Sequence, residues 1–300
     1  MIPYVRQIDI AYGRCDAVSP LIRRVTANNP GPFTFLGTGT YIVGRGEVAV
    51  IDPGPAMDDH LDAILSATQG ERITHILVTH HHADHSPLAR SLSLRTGAAV
   101  HGCAVKRAVA EDDIQLEAGY DHFVPDISMC GGGQVAGPGW TLEAIPTPGH
   151  TSNHICYALA EENALFSGDH IMGWSTTVIT PPDGDMTDYL ASLERVRARD
   201  FATLWPTHGP PITEVRPFID AYIAHRRERE RQILDRLAAG DRTIAEMVPT
   251  AYAQVDPKLW PAAERSMHAQ VIALVRAGTV VCAEAPGIGS EYALASPAAT

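Results

Sequence analysis

Four histidines and a carboxylate fall within six residues in the stretch Val78-Thr79-His80-His81-His82-Ala83-Asp84-His85-Ser86. A histidine cluster alone can be structural or accidental, but the order of this one constrains the chain around it. In near-extended backbone, residues i and i+2 point the same way, so His80 and His82 can converge on one ion while His81 faces elsewhere. Asp84 and His85 follow where the chain turns and can face a second ion. The run Ile73 to Thr79 reads as a buried strand. Ser86-Pro87 reads as a helix start, with serine as N-cap and proline at the first helical position.

Three later fragments supply partners. Thr147-Pro148-Gly149-His150-Thr151 puts a histidine in a turn after a strand. Phe166-Ser167-Gly168-Asp169-His170 ends a strand on an aspartate. Trp205-Pro206-Thr207-His208-Gly209-Pro210 places another histidine in a loop. Singly, each has a bland explanation in turn chemistry, capping or a surface imidazole. Their joint occurrence, each at a strand end and in this order, points to one composite metal site.

The first two hundred residues alternate strand-like and helical runs, which indicates an α/β layered domain. Tyr41-Ile42-Val43 and Val48-Ala49-Val50-Ile51 flank the turn Gly44-Arg45-Gly46-Glu47 as a hairpin. Helices are expected over about 57–68 and 186–197. After Pro210-Pro211 the texture changes: a long helix from about 215 to 239, a short one near 244–248, a third from about 258 to 277, then two short strands. Helices followed by a terminal hairpin are the order expected of a winged-helix module. The expected division is a catalytic domain over 1–212 and a winged-helix-like domain over 213–300.

The pattern His-x-His-x-Asp-His, then His, then Asp, then His resembles that of the metallo-β-lactamase superfamily, and all seven positions are filled. The resemblance implies an αββα sandwich with metals at one edge of the two sheets. It implies that His80, His82 and His150 hold the first ion, that Asp84, His85 and His208 hold the second, and that Asp169 bridges them. It also implies two Zn²⁺, with Mn²⁺ or Fe as other occupants, a metal-bridging hydroxide as nucleophile, and Asp84 as the residue that both ligates and orients it. Asp52, in Ile51-Asp52-Pro53-Gly54, matches the family's early aspartate and is expected behind the ligands. His154 and His170 are expected in supporting positions, and His81 to be held by backbone groups facing away from the metals. Hydroxyls of Ser175-Thr176-Thr177 could face substrate.

Asn29-Pro30-Gly31-Pro32-Phe33-Thr34, Gly37-Thr38-Gly39-Thr40-Tyr41, Gly168-Asp169-His170-Ile171-Met172-Gly173 and Tyr222-Ile223-Ala224-His225-Arg226 narrow the resemblance to the lactamase-like endoribonuclease (β-lactamase-like protein 2) family. That resemblance implies a phosphodiesterase acting on single-stranded RNA. A small thioester or ester, as in glyoxalase II-type hydrolases, is the alternative substrate. An aspartate at 169, where secreted β-lactamases of this fold usually carry Cys or Ser, argues against antibiotic hydrolysis. A mononuclear iron persulfide dioxygenase and a nucleic-acid-binding regulator on a non-catalytic hydrolase fold are further alternatives.

Charge bears on that choice. The formal net charge is −12 over 300 residues, so the chain has no general electrostatic pull on nucleic acid. The stretch 258–277 carries only Lys258, Arg265 and Arg276 against Glu264, a thin basic face for a duplex reader. The terminal module is therefore expected to wall one side of the cleft or to form a homodimer contact. No apolar run approaches the ~20 residues of a membrane helix, and no membrane partner is expected. The opening MIPYVRQIDIAYGR lacks the basic-then-apolar order of a signal peptide. Five scattered cysteines without a CxxC pair predict reduced thiols and a cytoplasmic location.

Overall fold

The computed structural model describes residues 2–105, 119 and 122–296. Among them a seven-stranded sheet runs in chain order: β1 (Cys15–Ala17), β2 (Ile22–Thr26), β3 (Gly39–Arg45), β4 (Glu47–Ile51), β5 (Arg72–Leu77), β6 (Ala99–Gly102) and β7 (Ile127–Ser128). Pairing is antiparallel through β4 and parallel from β4 to β7. The first two parallel steps are bridged by α1 (Asp58–Ala67) and α2 (Leu88–Thr96). Strand side chains alternate between faces, and here both faces are apolar. Tyr41, Val43, Ala49, Ile51 and Leu77 enter one core, while Ile42, Val48, Val50 and Ile76 enter another with Leu61, Ile64 and Leu92 of the two helices.

The second sheet comprises β8 (Gly133–Gly137), β9 (Trp140–Pro146), β10 (Ile155–Leu159), β11 (Ala164–Gly168) and β12 (Thr203–Pro206), in spatial order β12-β11-β10-β9-β8. Its inner face sends Trp140, Leu142, Tyr157 and Phe166 into the core shared with the first sheet. Its outer face packs Cys156, Ala158, Leu165 and Leu204 against α3 (Met186–Arg197) and α4 (Val215–Ala238). The result is the expected αββα sandwich. Hydrogen bonds stitch the sheets together beside one edge: Tyr157 Oη donates to Val78 O (2.9 Å), Tyr41 Oη to Pro206 O (2.6 Å), and Ile155 N to Thr79 O (2.8 Å).

The carboxy-terminal part contains α5 (Ile244–Ala251), α6 (Trp260–Arg276) and the antiparallel pair β13 (Val280–Cys282) and β14 (Tyr292–Leu294), in the order expected of a winged helix. A capping box starts α5: Thr243 Oγ1 accepts from Glu246 N, and Glu246 accepts from Thr243 N. The helix α4 serves two cores. Val215, Phe218, Ile219, Tyr222 and Ile223 pack on the αββα sandwich, whereas Ile233 and Leu237 pack with Met247, Val271 and Leu274 of the module.

One expectation is corrected. Cys103 and Cys130 form a disulfide, leaving Cys15, Cys156 and Cys282 free. Twenty-seven residues separate the pair, so no short motif announced it. The partners meet because β6 and β7 lie side by side, pairing His101 with Ile127 and Gly102 with Ser128, and the cysteines follow the two strand ends. Closing a loop of that size restricts the unfolded chain by about 3.5 kcal/mol. Urea unfolding of a Cys103→Ser/Cys130→Ser variant should show a stability loss of that order, and reductant should then have no further effect on it.

Candidate metal centre

Five strands from both sheets end at one edge, and each hands over a polar residue within four positions. Asp52 follows β4, His80 follows β5 by three residues, His150 lies in the turn after β9, Asp169 follows β11 and His208 follows β12. The seven sequence-predicted residues are brought together there. His80, His82 and His150 form one group of potential ligand atoms and Asp84, His85 and His208 another, with all atoms of a group within 4.8 Å of one another. A third group, His80, His85 and Asp169, straddles the first two. Asp169 Oδ2 lies 3.4 Å from His208 Nε2, 3.5 Å from His85 Nε2 and 3.9 Å from His150 Nε2, a position between the two groups. Asp84 Oδ2 lies 3.1 Å from His208 Nε2 and 3.3 Å from His85 Nε2. Asp84 is the one with a substantially solvent-facing side chain, 23% exposed against 0–3% for His85, His150, Asp169 and His208.

Hydrogen bonding turns four of the five imidazoles so that Nε2 faces inward. His85 Nδ1 donates to Asp52 Oδ2 (2.9 Å), His150 Nδ1 to Val178 O (2.7 Å) and His208 Nδ1 to Gly37 O (3.2 Å). Thr79 Oγ1 donates to Asp52 Oδ2 (2.8 Å), which leaves it to accept from His80 Nδ1 (3.0 Å). A ring nitrogen committed to a second acceptor fixes the tautomer, as metal-ligating histidines require. His82 instead presents Nδ1, 3.2 Å from His150 Nε2.

The supporting residues divide. Asp52 holds His85 as expected and also accepts from Thr79 N and Thr207 Oγ1. His154 accepts from Asp169 N at Nε2 (3.2 Å) and donates from Nδ1 to Thr147 Oγ1 (2.8 Å), so it fixes the backbone of the central aspartate. His170 stands further out, with its ring against Tyr189 and His154. His81 does face away, but its Nδ1 meets the Asn153 side chain (3.0 Å) rather than backbone. Thr177, expected toward substrate, is buried, and its hydroxyl contacts Asp169 O (2.8 Å) and His170 O (3.0 Å). Two supports were not anticipated. Asn29 orients Thr38, whose hydroxyl donates to Asp84 Oδ2 (3.3 Å), and Val178 orients His150 through a carbonyl. Asn29 and Thr38 lie in segments whose sequence carries the family resemblance, whereas a backbone acceptor such as Val178 O leaves no mark on residue type.

The donor set fits divalent metal. His80 Nε2, His85 Nε2 and Asp169 Oδ1 are buried without a hydrogen-bond partner, and buried polar atoms left bare cost stability unless a ligand satisfies them. Imidazole and carboxylate together suit Zn²⁺. The electrostatics agree. Burial and the neighbouring rings push His80 and His82 well below the ordinary imidazole value. For His85 and His208 burial acts downward, yet the carboxylates of Asp84 and Asp169 outweigh it, holding His85 well above its ordinary value and His208 at about 10. Burial likewise acts upward on Asp84 and Asp169, and His85 and His208 overcome it, keeping both well below the usual carboxylate range. The carboxylates of this half of the site therefore favour positive charge beside them, which a divalent ion would supply in place of protons.

Residues 34–208 match the metallo-β-lactamase superfamily, and residues 243–285 match the β-lactamase-associated winged helix domain. The chain belongs to the metallo-β-lactamase superfamily. Within it, the β-lactamase-like protein 2 homolog of Caenorhabditis elegans is 35% identical over 223 residues, 73% of this chain and 72% of that protein. An atrochrysone carboxyl ACP thioesterase of a Cryptosporiopsis species is 30% identical, covering 79% of this chain and 73% of its own length. A β-lactamase domain protein from Burkholderia ambifaria superposes with a TM-score of 0.80 over 98% of this chain and 97% of its own, at 22% identity. A metallo-β-lactamase family protein from Thermus thermophilus gives 0.74 over 93% and 100%, at 21%. These two structures bear out the fold across both parts of the chain. As a superfamily member with a His/Asp metal site, the chain is a metallo-hydrolase.

Beside His208 the rim of the site is aromatic. Phe35, at φ 56°, stacks on Trp174 with ring centroids 4.9 Å apart and planes 15° from parallel. A Cβ added to Gly209 would stand 3.0 Å from Trp174 Cδ1, so the indole lies against the residue after His208.

Proposed function

We propose that this chain is a dinuclear zinc hydrolase whose substrate is an acyl thioester. His80, His82 and His150 would hold one ion, Asp84, His85 and His208 the other, with Asp169 between them. When bound, such a pair lowers the pKa of a shared water toward about 7 and polarises the scissile carbonyl. Asp84, the solvent-facing carboxylate, is placed to accept a hydrogen bond from the incoming water and orient it. Thr38 donates to the same Asp84 oxygen that faces His85 and His208. His154 and Thr177 keep Asp169 fixed as charge shifts during the reaction, and the Phe35–Trp174 stack gives the acyl group a flat apolar wall. Water adds at the carbonyl carbon, the C–S bond breaks, and acid and thiol leave.

The observation that carries the choice of thioester is the pair of ACP thioesterases among the relatives, at 30% and 32% identity over most of this chain. The single-stranded RNA reading from the sequence fares less well against the geometry. Of the cations on the stretch 258–277, Arg276 is tied to Asp185 of the catalytic domain, and one face of α6 is buried through Ala263, Met267, Gln270 and Leu274. This packing supports the reading of the module as a wall of the cleft over that of a nucleic-acid binder.

The zinc-loaded protein should release free thiol from an acyl-N-acetylcysteamine thioester, followed with a thiol reagent, and leave an end-labelled single-stranded RNA intact. RNA cleavage without thioester turnover would replace this reading with the phosphodiesterase one.

A further inference from the structure

We propose that Arg226 and Tyr222, on the helix leading into the winged-helix module, are positioning residues for the metal centre. This rests on the metal-binding part of the reading above and on no particular substrate.

The segment 172–178 joins the end of β11 to the site twice. Thr177 Oγ1 contacts the backbone carbonyls of Asp169 and His170, and Val178 O takes the Nδ1 hydrogen of His150. One member of the all-imidazole group and the aspartate between the two groups thus depend on where this segment lies. Among the described residues the segment forms no strand of its own, so no sheet ladder fixes it.

Helix α4 supplies what a ladder would. Tyr222 and Arg226 are one turn apart, on one helix face. The Tyr222 hydroxyl accepts from Met172 N (3.2 Å) and meets the carbonyls of Met172 (2.6 Å) and Ser175 (2.5 Å). Arg226 Nη2 donates to Thr177 O, and its guanidinium lies 5.1 Å above the Tyr189 ring. The Tyr189 hydroxyl in turn donates to His170 O (2.8 Å). From the module, Gln270 Nε2 reaches Arg226 O (3.4 Å). The path therefore runs from α6 through Arg226 and Thr177 to Asp169.

Arg226 is 3% exposed, and among the described residues no carboxylate pairs with it. Taking a guanidinium out of water without a counter-charge is unfavourable, and an apolar side chain would serve better if the contact only glued two domains together. A donor that reaches a carbonyl of the ligand-bearing segment accounts for the choice. Tyr222 makes the same kind of contact to the same segment. Arg226 holds the segment at Thr177 and Tyr222 holds it at Met172 and Ser175, and neither stands among the seven donors.

The test uses the full chain with Zn²⁺ and Co²⁺ as probes. Zinc affinity is measured by competition with a chromophoric chelator, the cobalt spectrum reports site geometry, and thermal unfolding is recorded in parallel. Arg226→Met and Tyr222→Phe should each weaken zinc binding by about 10-fold, the range seen when groups behind metal ligands are removed, and shift the cobalt bands. Arg226→Lys, which can still donate to Thr177 O, should recover most of the affinity. Ile233→Val, in the module core, controls for a stability loss remote from this path and should leave zinc affinity at the parental value. Parental zinc affinity and cobalt spectra in both Arg226→Met and Tyr222→Phe would overturn the proposal, as would an equal loss in Ile233→Val. A parent that binds neither metal would overturn the metal-centre reading as well, so the two failures are told apart by the parent alone.

Discussion

Replacing Asp84 by alanine is expected to lower thioester kcat/KM by at least about 1,000-fold while leaving thermal unfolding close to that of the parent. A 1,000-fold loss corresponds to about 4 kcal/mol of transition-state stabilisation, within what a metal-ion site contributes by holding and orienting its water. The fold should survive because Asp84 belongs to no apolar core. Its contacts are polar and local, to His85, His208 and the Thr38 hydroxyl. A partner substitution separates the two halves of the site. His82→Ala strips the all-imidazole group of one member and leaves Asp84, His85, His208 and Asp169 in place, so bound zinc should fall from two per chain to about one, read by elemental analysis. Turnover retained by either variant, with zinc content at the parental level, would sink the assignment of these residues.

What the sequence made legible follows from how each feature is encoded. The seven donors were readable because histidine and aspartate at strand ends are rare enough to carry information, and the spacing of His80, His82, Asp84 and His85 reflects local backbone geometry. The layer order was readable because β3 and β4 are short continuous apolar runs bounded by turn residues, as strands buried on both faces are, while α3 and α4 carry apolar positions at the 3.6 period. The supports were harder. Val178 and Gly37 act through carbonyls, which any residue could provide. Thr177 looked like a substrate hydroxyl because its partner, Asp169 O, is set by a chain reversal that no local pattern describes. The Cys103–Cys130 bridge depends on β6 and β7 being neighbours, a tertiary fact. In α4 the run of arginines reads as a solvated face, and Arg231 fits that reading, paired with Glu228 and Asp235. Arg226, five residues earlier in the same run, is buried. Charge patterning alone could not distinguish the two, because the helix leaves one core and joins another between them.

Asp52→Asn should separate ligand orientation from fold. Asp52 sits at φ 49°, in the left-handed region that Asn tolerates as well as Asp does, so the backbone is not challenged. Its carboxylate accepts from Thr79 N at Oδ1 and from Thr79 Oγ1, His85 Nδ1 and Thr207 Oγ1 at Oδ2. The backbone N–H cannot reverse, so the asparagine oxygen must take the Oδ1 place and its NH₂ group the Oδ2 place. His85 Nδ1 must then accept, which moves its proton to Nε2, the atom that should ligate. The Thr79 hydroxyl, facing a donor, turns to His80 Nδ1 at 3.0 Å and drives that ring to the same wrong tautomer. One atom change thus misorients a proton on each side of the cluster. Zinc affinity should fall toward the upper end of the 10–100-fold range, with thermal unfolding shifted by only a few degrees, and ¹⁵N imidazole spectra should show protonated Nε2 on both rings. Asp52→Ala gives the opposite balance. It strands four donors in a buried site, at roughly 1–3 kcal/mol each, and should unfold at markedly lower urea concentration. An Asp52→Asn protein that binds two zinc ions with parental affinity would show that the tautomers of His80 and His85 are set elsewhere.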